Sequence, residues 1–182
     1  DSGTQTRVRG GTAISAAGWH SVAVTSTGST IAIYLDGTAE SLTVEVGSND
    51  GRWFADMNGN QDSVAIGAWK KNNSVYNYFD GRIMQVAYFG GSVADQGVLT
   101  AAQIAALHSA GKEHDLTTAT GVYTASEIDD LKGYWRMGNH YLDTPKTIYD
   151  ASGNGYDMHE VSDPAALTYT TGTTFNNNWQ HR

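Results

Sequence analysis

From Trp19 to Val46 apolar side chains recur at every second position, and only short stretches of Gly, Ser, Thr and Asp interrupt them. A period of two lets a strand bury one face, and it does not fit the 3.6-residue period of an amphipathic helix. In the first arm Val22 and Val24 share a face; in the second, Ile31, Ile33 and Leu35 do. Ser26-Thr27-Gly28-Ser29 joins the arms into a hairpin. Asp36-Gly37 supplies the next turn, because Gly accepts the positive φ that a tight connection demands. Residues 41–46 then read as a third strand, with Leu42, Val44 and Val46 on a dry face and Thr43 and Glu45 on a wet one.

Later segments extend the pattern. Residues 47–63 are rich in Asn, Asp, Gly and Ser and read as a long surface loop. Residues 64–69 resume strand character, 70–77 read as a second polar loop, and 82–89 form the strongest later strand. Ile83, Ala87 and Phe89 lie on one face of that strand and Met84, Val86 and Tyr88 on the other, which suits a central strand covered on both sides. Residues 99–111 are the one clear helix, with Thr100 as N-cap, Ile104 and Leu107 as apolar positions and Gly111 just past the end. Residues 124–131 carry a weaker helical signal, with Thr124 and Glu127 spaced as a capping box. Residues 133–137 read as a strand, 150–155 as a turn, 166–175 as a Thr-rich strand pair around Gly172, and 176–182 as a loose tail.

Many short strands, Gly-bearing turns and one short helix predict an all-β chain, a two-sheet antiparallel sandwich or jelly roll with a C-terminal β-containing extension. The division by sequence is a jelly-roll region over 1–111, a helical connector over 112–132 and a C-terminal β segment over 133–182. At 182 residues a chain buries about 70% of its unfolded surface and needs no disulfide or structural metal. The absence of Cys excludes thiolate metal sites and cysteine nucleophiles. A formal charge of −8 without any Lys/Arg run argues against nucleic acid and anionic lipid as partners. No apolar run approaches the roughly 20 residues of a membrane helix, so no membrane insertion is expected.

Four separated motifs carry a resemblance. Gly18-Trp-His-Ser-Val-Ala-Val-Thr25 through Ile33-Tyr-Leu-Asp-Gly37, then Ile66-Gly67, then Phe79-Asp-Gly-Arg-Ile83 with Val86-Ala-Tyr88, and finally Leu99-Thr-Ala-Ala-Gln-Ile104 with Leu107 resemble the laminin G-like, concanavalin A-like jelly roll, over about residues 5–110. The fold this implies is two antiparallel sheets packed face to face. Leu131-Lys-Gly-Tyr-Trp-Arg-Met-Gly138 with Ile148-Tyr-Asp-Ala-Ser-Gly-Asn-Gly155 is similar to segments that accompany such jelly rolls in structural proteins of marine bacteriophages. In the family a comparable pair opens the domain, whereas here it follows the helix. Either the C-terminal segment supplies the strands expected before Trp19 in a permuted order, or those strands are missing from this chain; the second is the expectation, because the segment before Trp19 is short and the first residue is not Met.

Candidate sites are few. Asp56, Asn58, Asn60 and Asp62 place oxygen ligands at every second residue, a spacing that can wrap Ca²⁺. The EF-hand pattern is incomplete, with Gln61 at the sixth position and Gly67 at the twelfth, so a solvated turn-rich loop is the competing reading. Trp53, Trp69, Tyr76 and Tyr78 border the two polar loops as aromatic rings beside Asn and Asp, the composition of a glycan-binding edge. Trp19 and Trp135 read as packing residues. Glu127-Ile-Asp129 superficially matches the carboxylate strand of related glucanases, but Lys132 stands at the third carboxylate position, so Glu127 reads as a helix cap. The six His residues have no metal-binding spacing, and no Gly-x-Ser-x-Gly motif occurs.

These readings point to a non-enzymatic structural or adhesion module of a phage virion, located in the virion or outside the cell. It would contact other virion proteins, copies of itself as part of an oligomer, or a host surface bearing glycans. No cofactor is required on this reading, with Ca²⁺ the candidate ion. The alternatives are a calcium-assisted lectin-like domain and, ranked last, a glycoside hydrolase.

Overall fold

The computed structural model of the chain describes residues 6–14, 18–51, 66–71, 74–90, 97–137, 140–144 and 147–159. Its elements run β1 (Arg7–Gly10), β2 (Val22–Ser26), β3 (Ile31–Leu35), β4 (Thr38–Ala39), β5 (Leu42–Val46), β6 (Trp69–Lys71), β7 (Ser74–Tyr76), β8 (Val86–Phe89), α1 (Ala101–Ala110), α2 (Ala125–Asp129), β9 (Leu131–Trp135), β10 (Thr147–Ile148) and β11 (Met158–His159). Among the described residues, short strands in antiparallel sheets with two short helices make the chain all-β in class. It divides into two compact units, each built from two separated segments: Asp1–Asn58 with Phe89–Lys132, and Gly59–Tyr88 with Gly133–Arg182.

In the first unit the alternating stretch forms the hairpin that its pattern predicts. β2 pairs antiparallel with β3 from Val22↔Leu35 to Ser26↔Ile31, and β3 pairs with β4. Gly28 closes the first turn at φ 79°. Asp36 and Gly37 close the second at φ 50° and 77°, the pair of left-handed residues that a type I′ connection requires. The third predicted strand exists as β5, but it leaves the hairpin and pairs with β1, from Arg7↔Val46 to Gly10↔Leu42. Glu40 marks the departure: its N–H still bonds the Ile33 carbonyl, while its carboxylate accepts from the Thr12 N–H at 2.8 Å.

The buried face of the hairpin is not the one that hydrophobicity selects. Cross-strand partners share a face, so Val22, Val24, Ile33 and Leu35 lie together, and Ala23 and Tyr34 lie opposite them. Tyr34 is the buried member of β3, whereas Val22 is 60% exposed and Val24 is also exposed. Val44 and Val46 of β5, predicted to be dry, are exposed as well. Alternation marks the two faces but does not choose between them; the rest of the chain covers the Ala23–Tyr34 face and leaves Val22 and Val24 to solvent.

Helix α1 forms as its caps dictate. The Gln103 N–H donates to Thr100 Oγ1 while the Gln103 side-chain carbonyl accepts from the Thr100 N–H at 2.7 Å, and Gly111 ends the helix at φ 90°. Ile104 is its buried residue. Helix α2 begins where Glu127 accepts from the backbone N–H and the hydroxyl of Thr124, which is the capping role read from sequence. Tyr123, just before α2, is fully buried, donates to the Leu116 carbonyl at 2.6 Å and meets the Phe89 ring edge-on.

The second unit holds two hairpin-like pairs, β6 with β7 and β10 with β11, together with most of the β8–β9 sheet. Here the strands depart from their expected bounds. Residues 70–77, read as a loop, largely form the β6–β7 ribbon in register Trp69↔Tyr76, because a two-stranded ribbon can expose both faces and tolerates polar residues. Residues 66–68 are bends rather than strand. The strand predicted over 82–89 is confined to β8, since Gln85 at φ 53° breaks the extended run, and β8 has β9 as its one partner among the described residues. β9 occupies the predicted position two residues early and buries Leu131 and Tyr134. The loop 52–63 and the strand pair 166–175 lie outside the described residues.

Candidate functional site

Of the predicted glycan-binding residues, the structure brings Trp69 and Tyr76 into register across the β6–β7 ribbon. Tyr76 and Tyr78 are both exposed, Tyr78 at 54%. Asn77, at φ 49°, turns the chain between them, and the Phe79 N–H then bonds the Gly67 carbonyl at 2.8 Å. This anchors a short exposed aromatic strip, a surface on which a sugar ring could stack. Trp53 and the predicted calcium ligands Asp56, Asn58, Asn60 and Asp62 lie outside the described residues. Among the described residues no three His, Asp or Glu side chains are gathered as a metal would require. Trp135 packs over Gly133 and donates its indole N–H to the Tyr156 carbonyl at 2.7 Å, as a packing residue should. Trp19 departs from expectation: it is 43% exposed, with the Lys112 ammonium 5.9 Å from its ring centre.

Two polar assemblies arise that sequence reading missed. At the end of the β2–β3 hairpin, His20 Nδ1 donates to Asp36 Oδ2 at 2.8 Å and the Ser21 N–H donates to Asp36 Oδ1 at 2.9 Å. The His20 bond first, and the Ser21 bond second, hold the Asp36 carboxyl below its ordinary value. Ser21 Oγ lies 2.8 Å from Nδ1 of His108, on the last turn of α1. Helix and hairpin approach closely here because residue 37 is Gly: a Cβ there would meet the His108 Cβ at 3.1 Å. A nucleophilic relay needs a third group that orients the base touching the nucleophile. Here the carboxylate bonds His20 while the serine bonds His108, so these contacts among the described residues are two separate pairs and not one Asp–His–Ser chain.

The second assembly is the loop after β10. Asp150 Oδ1 accepts from the Tyr134 and Ser152 N–H groups, and Oδ2 accepts from the Tyr156 N–H at 3.0 Å. The Ala151 N–H returns a bond to the Tyr134 carbonyl at 2.7 Å, and Asp157 accepts from the Asp150 N–H. Burial pushes the Asp150 carboxyl up, but its hydrogen bonds from Ser152, Tyr134 and Tyr156 outweigh this and hold it below its ordinary value. The carboxylate thus clasps the loop to β9. Asp with Ser two residues later is a sequence signal for such a turn, but the partner on β9 lies 16 residues away.

No protein-family model, curated protein or solved structure matches the chain. No helix among the described residues is long and apolar enough to cross a membrane.

Proposed function

We propose that this chain is a non-enzymatic structural or adhesion module of a phage virion, a sandwich of the jelly-roll kind that works through contacts with other virion proteins, copies of itself or a host surface. The observation that carries this reading is the uncovered apolar surface of the strands: Val22 and Val24 on β2 and Val44 and Val46 on β5 all meet solvent. Exposed apolar strand faces are costly unless something covers them. The carboxylates support the same reading, because Asp36, Glu127 and Asp150 are engaged by donors of the chain itself. The virion setting rests on the resemblance of residues 131–155 to segments of phage structural proteins. Light scattering of the purified chain and of a Val22→Lys, Val24→Lys double variant tests it. Self-association that the variant abolishes, or co-purification of the chain with particles, is the expected result. A monomer that never joins particles overturns the reading.

A lectin-like reading is favoured by one observation, the exposed Tyr76 and Tyr78 beside β6. It predicts glycan-array binding that weakens in Tyr76→Ala and Tyr78→Ala and, if Asp56, Asn58, Asn60 and Asp62 hold Ca²⁺, disappears with a chelator. No binding with or without calcium ends that reading.

A further inference from the structure

We infer that the Asn154–Gly155 peptide is a site of spontaneous amide-to-acid rearrangement, and that the lengthened backbone it produces releases the Asp150 clasp on β9. Asn154 and Gly155 are exposed at the tip of the loop whose two shoulders the clasp fixes, at Ser152 and at Tyr156. Gly155 has no side chain to shield its backbone nitrogen, and it sits at φ 79°, a conformation open to Gly. Its N–H makes no hydrogen bond among the described residues. Asn154 Nδ2 and the Asn154 backbone N–H both donate to Ser152 Oγ, at 3.0 and 3.4 Å, so the hydroxyl sits beside the nitrogen that must leave and can turn its proton toward it once the imide begins to close.

The chemistry needs only water. The Gly155 nitrogen attacks the Asn154 side-chain carbonyl carbon, a new N–C bond closes a five-membered imide, and the bond to Nδ2 breaks. The proton lost by the Gly155 nitrogen balances the one gained by the departing ammonia, which Ser152 and solvent relay. Water then adds to either imide carbonyl. Opening on the side-chain carbonyl gives aspartate, and opening on the main-chain carbonyl gives isoaspartate, in which the backbone runs through the former side chain. No oxidation or reduction occurs at any step.

The position of the extra backbone carbon gives the reaction its consequence. It enters between Ser152 and Tyr156, the two residues that Asp150 holds at 2.9 and 3.0 Å. The isoaspartyl link also changes the direction in which the chain leaves residue 154 toward Tyr156, so the Tyr156 N–H is expected to swing off Asp150 Oδ2, and the Tyr156 carbonyl that receives the Trp135 indole N–H to move with it. Both products add a negative charge close to Asp150 and Asp157, which disfavours the clasp further.

The test is incubation of the full chain in warm neutral and mildly alkaline buffer, with a peptide of residues 150–157 as the clock. Fragment mass spectrometry localises the small mass gain of amide-to-acid exchange, and an isoaspartyl methyltransferase labels the rearranged product. The gain is expected at Asn154, faster at the higher pH, and lost in Asn154→Gln, which keeps the exposed side chain polar. The converted fraction, separated by anion exchange, is expected to show faster hydrogen exchange at the Tyr156 amide. An unmodified Asn154 after the clock peptide has converted, or conversion that leaves Tyr156 exchange unchanged, overturns the proposal.

Discussion

Helix α1 and the loop 150–157 are both too short to hold a shape alone, and they are fixed by opposite means. A ten-residue helix falls below the roughly 12–15 residues at which isolated helices become even marginal. It persists because Ile104 is buried, because Thr100 and Gln103 cap each other and because Gly37 lets the hairpin turn approach. The loop 150–157 has little apolar surface to bury and persists because one carboxylate gathers the N–H groups of Tyr134, Ser152 and Tyr156. Burial makes an element sensitive to side-chain volume. A carboxylate clasp makes it sensitive to charge and pH.

The largest expected effect tests the first half of this contrast. Ile104→Ala removes the buried residue of α1 and should destabilise the first unit by about 2–5 kcal/mol, with no dependence on pH, in denaturant unfolding. A cost near zero would mean that α1 is held by its caps alone.

Next comes Asp150→Asn, which keeps the shape but replaces one of the two accepting oxygens by an NH2 donor that faces an N–H group. It should cost about 1–3 kcal/mol at neutral pH, less where solvent screens the site, and speed hydrogen exchange at the Tyr134 and Tyr156 amides. The pH dependence has a definite sign. The folded-state pKa lies below the ordinary 3.8, so the contribution of Asp150 is complete above that value and is lost as pH falls through the folded value. The variant should lack that acid-side loss, and a variant that retains it would transfer the effect to other carboxylates such as Asp36.

A smaller effect sharpens the packing side. Gly37→Ala forces a side chain into φ 77° against His108 and should cost about 1–2 kcal/mol. The smallest is Ser21→Ala, which removes an exposed hydrogen bond to His108 and should change stability by no more than about 0.5 kcal/mol. A loss several times larger would show that the His20–Asp36–Ser21–His108 cluster shares with Ile104 in holding α1.

The candidate sites were legible to unequal degrees. Tyr76 and Tyr78 stand out in the sequence as aromatic residues beside polar stretches, and both are exposed, but Lys and Asn over 70–77 give a loop's composition and mask the ribbon's pairing. The Ser21–His108 contact spans 87 residues and leaves no local trace. Asp150 was placed in a turn, yet the N–H of Tyr134 that makes it a clasp could not be assigned from spacing.

What the sequence determined by itself is what a few consecutive residues decide. Gly28 and Asp36-Gly37 set the hairpin turns through their backbone freedom, and Thr100 with Gln103 and Thr124 with Glu127 start the helices through bonds three residues long. The tertiary structure decided which hairpin face is covered, sending Tyr34 inward and leaving Val22 and Val24 outside. It also paired β5 with β1 across more than 30 residues and drew Asp150 onto β9. Alternation along a strand marks two faces without saying which will find a neighbour, because that choice depends on the volume and hydrogen-bonding groups that distant segments bring to each side.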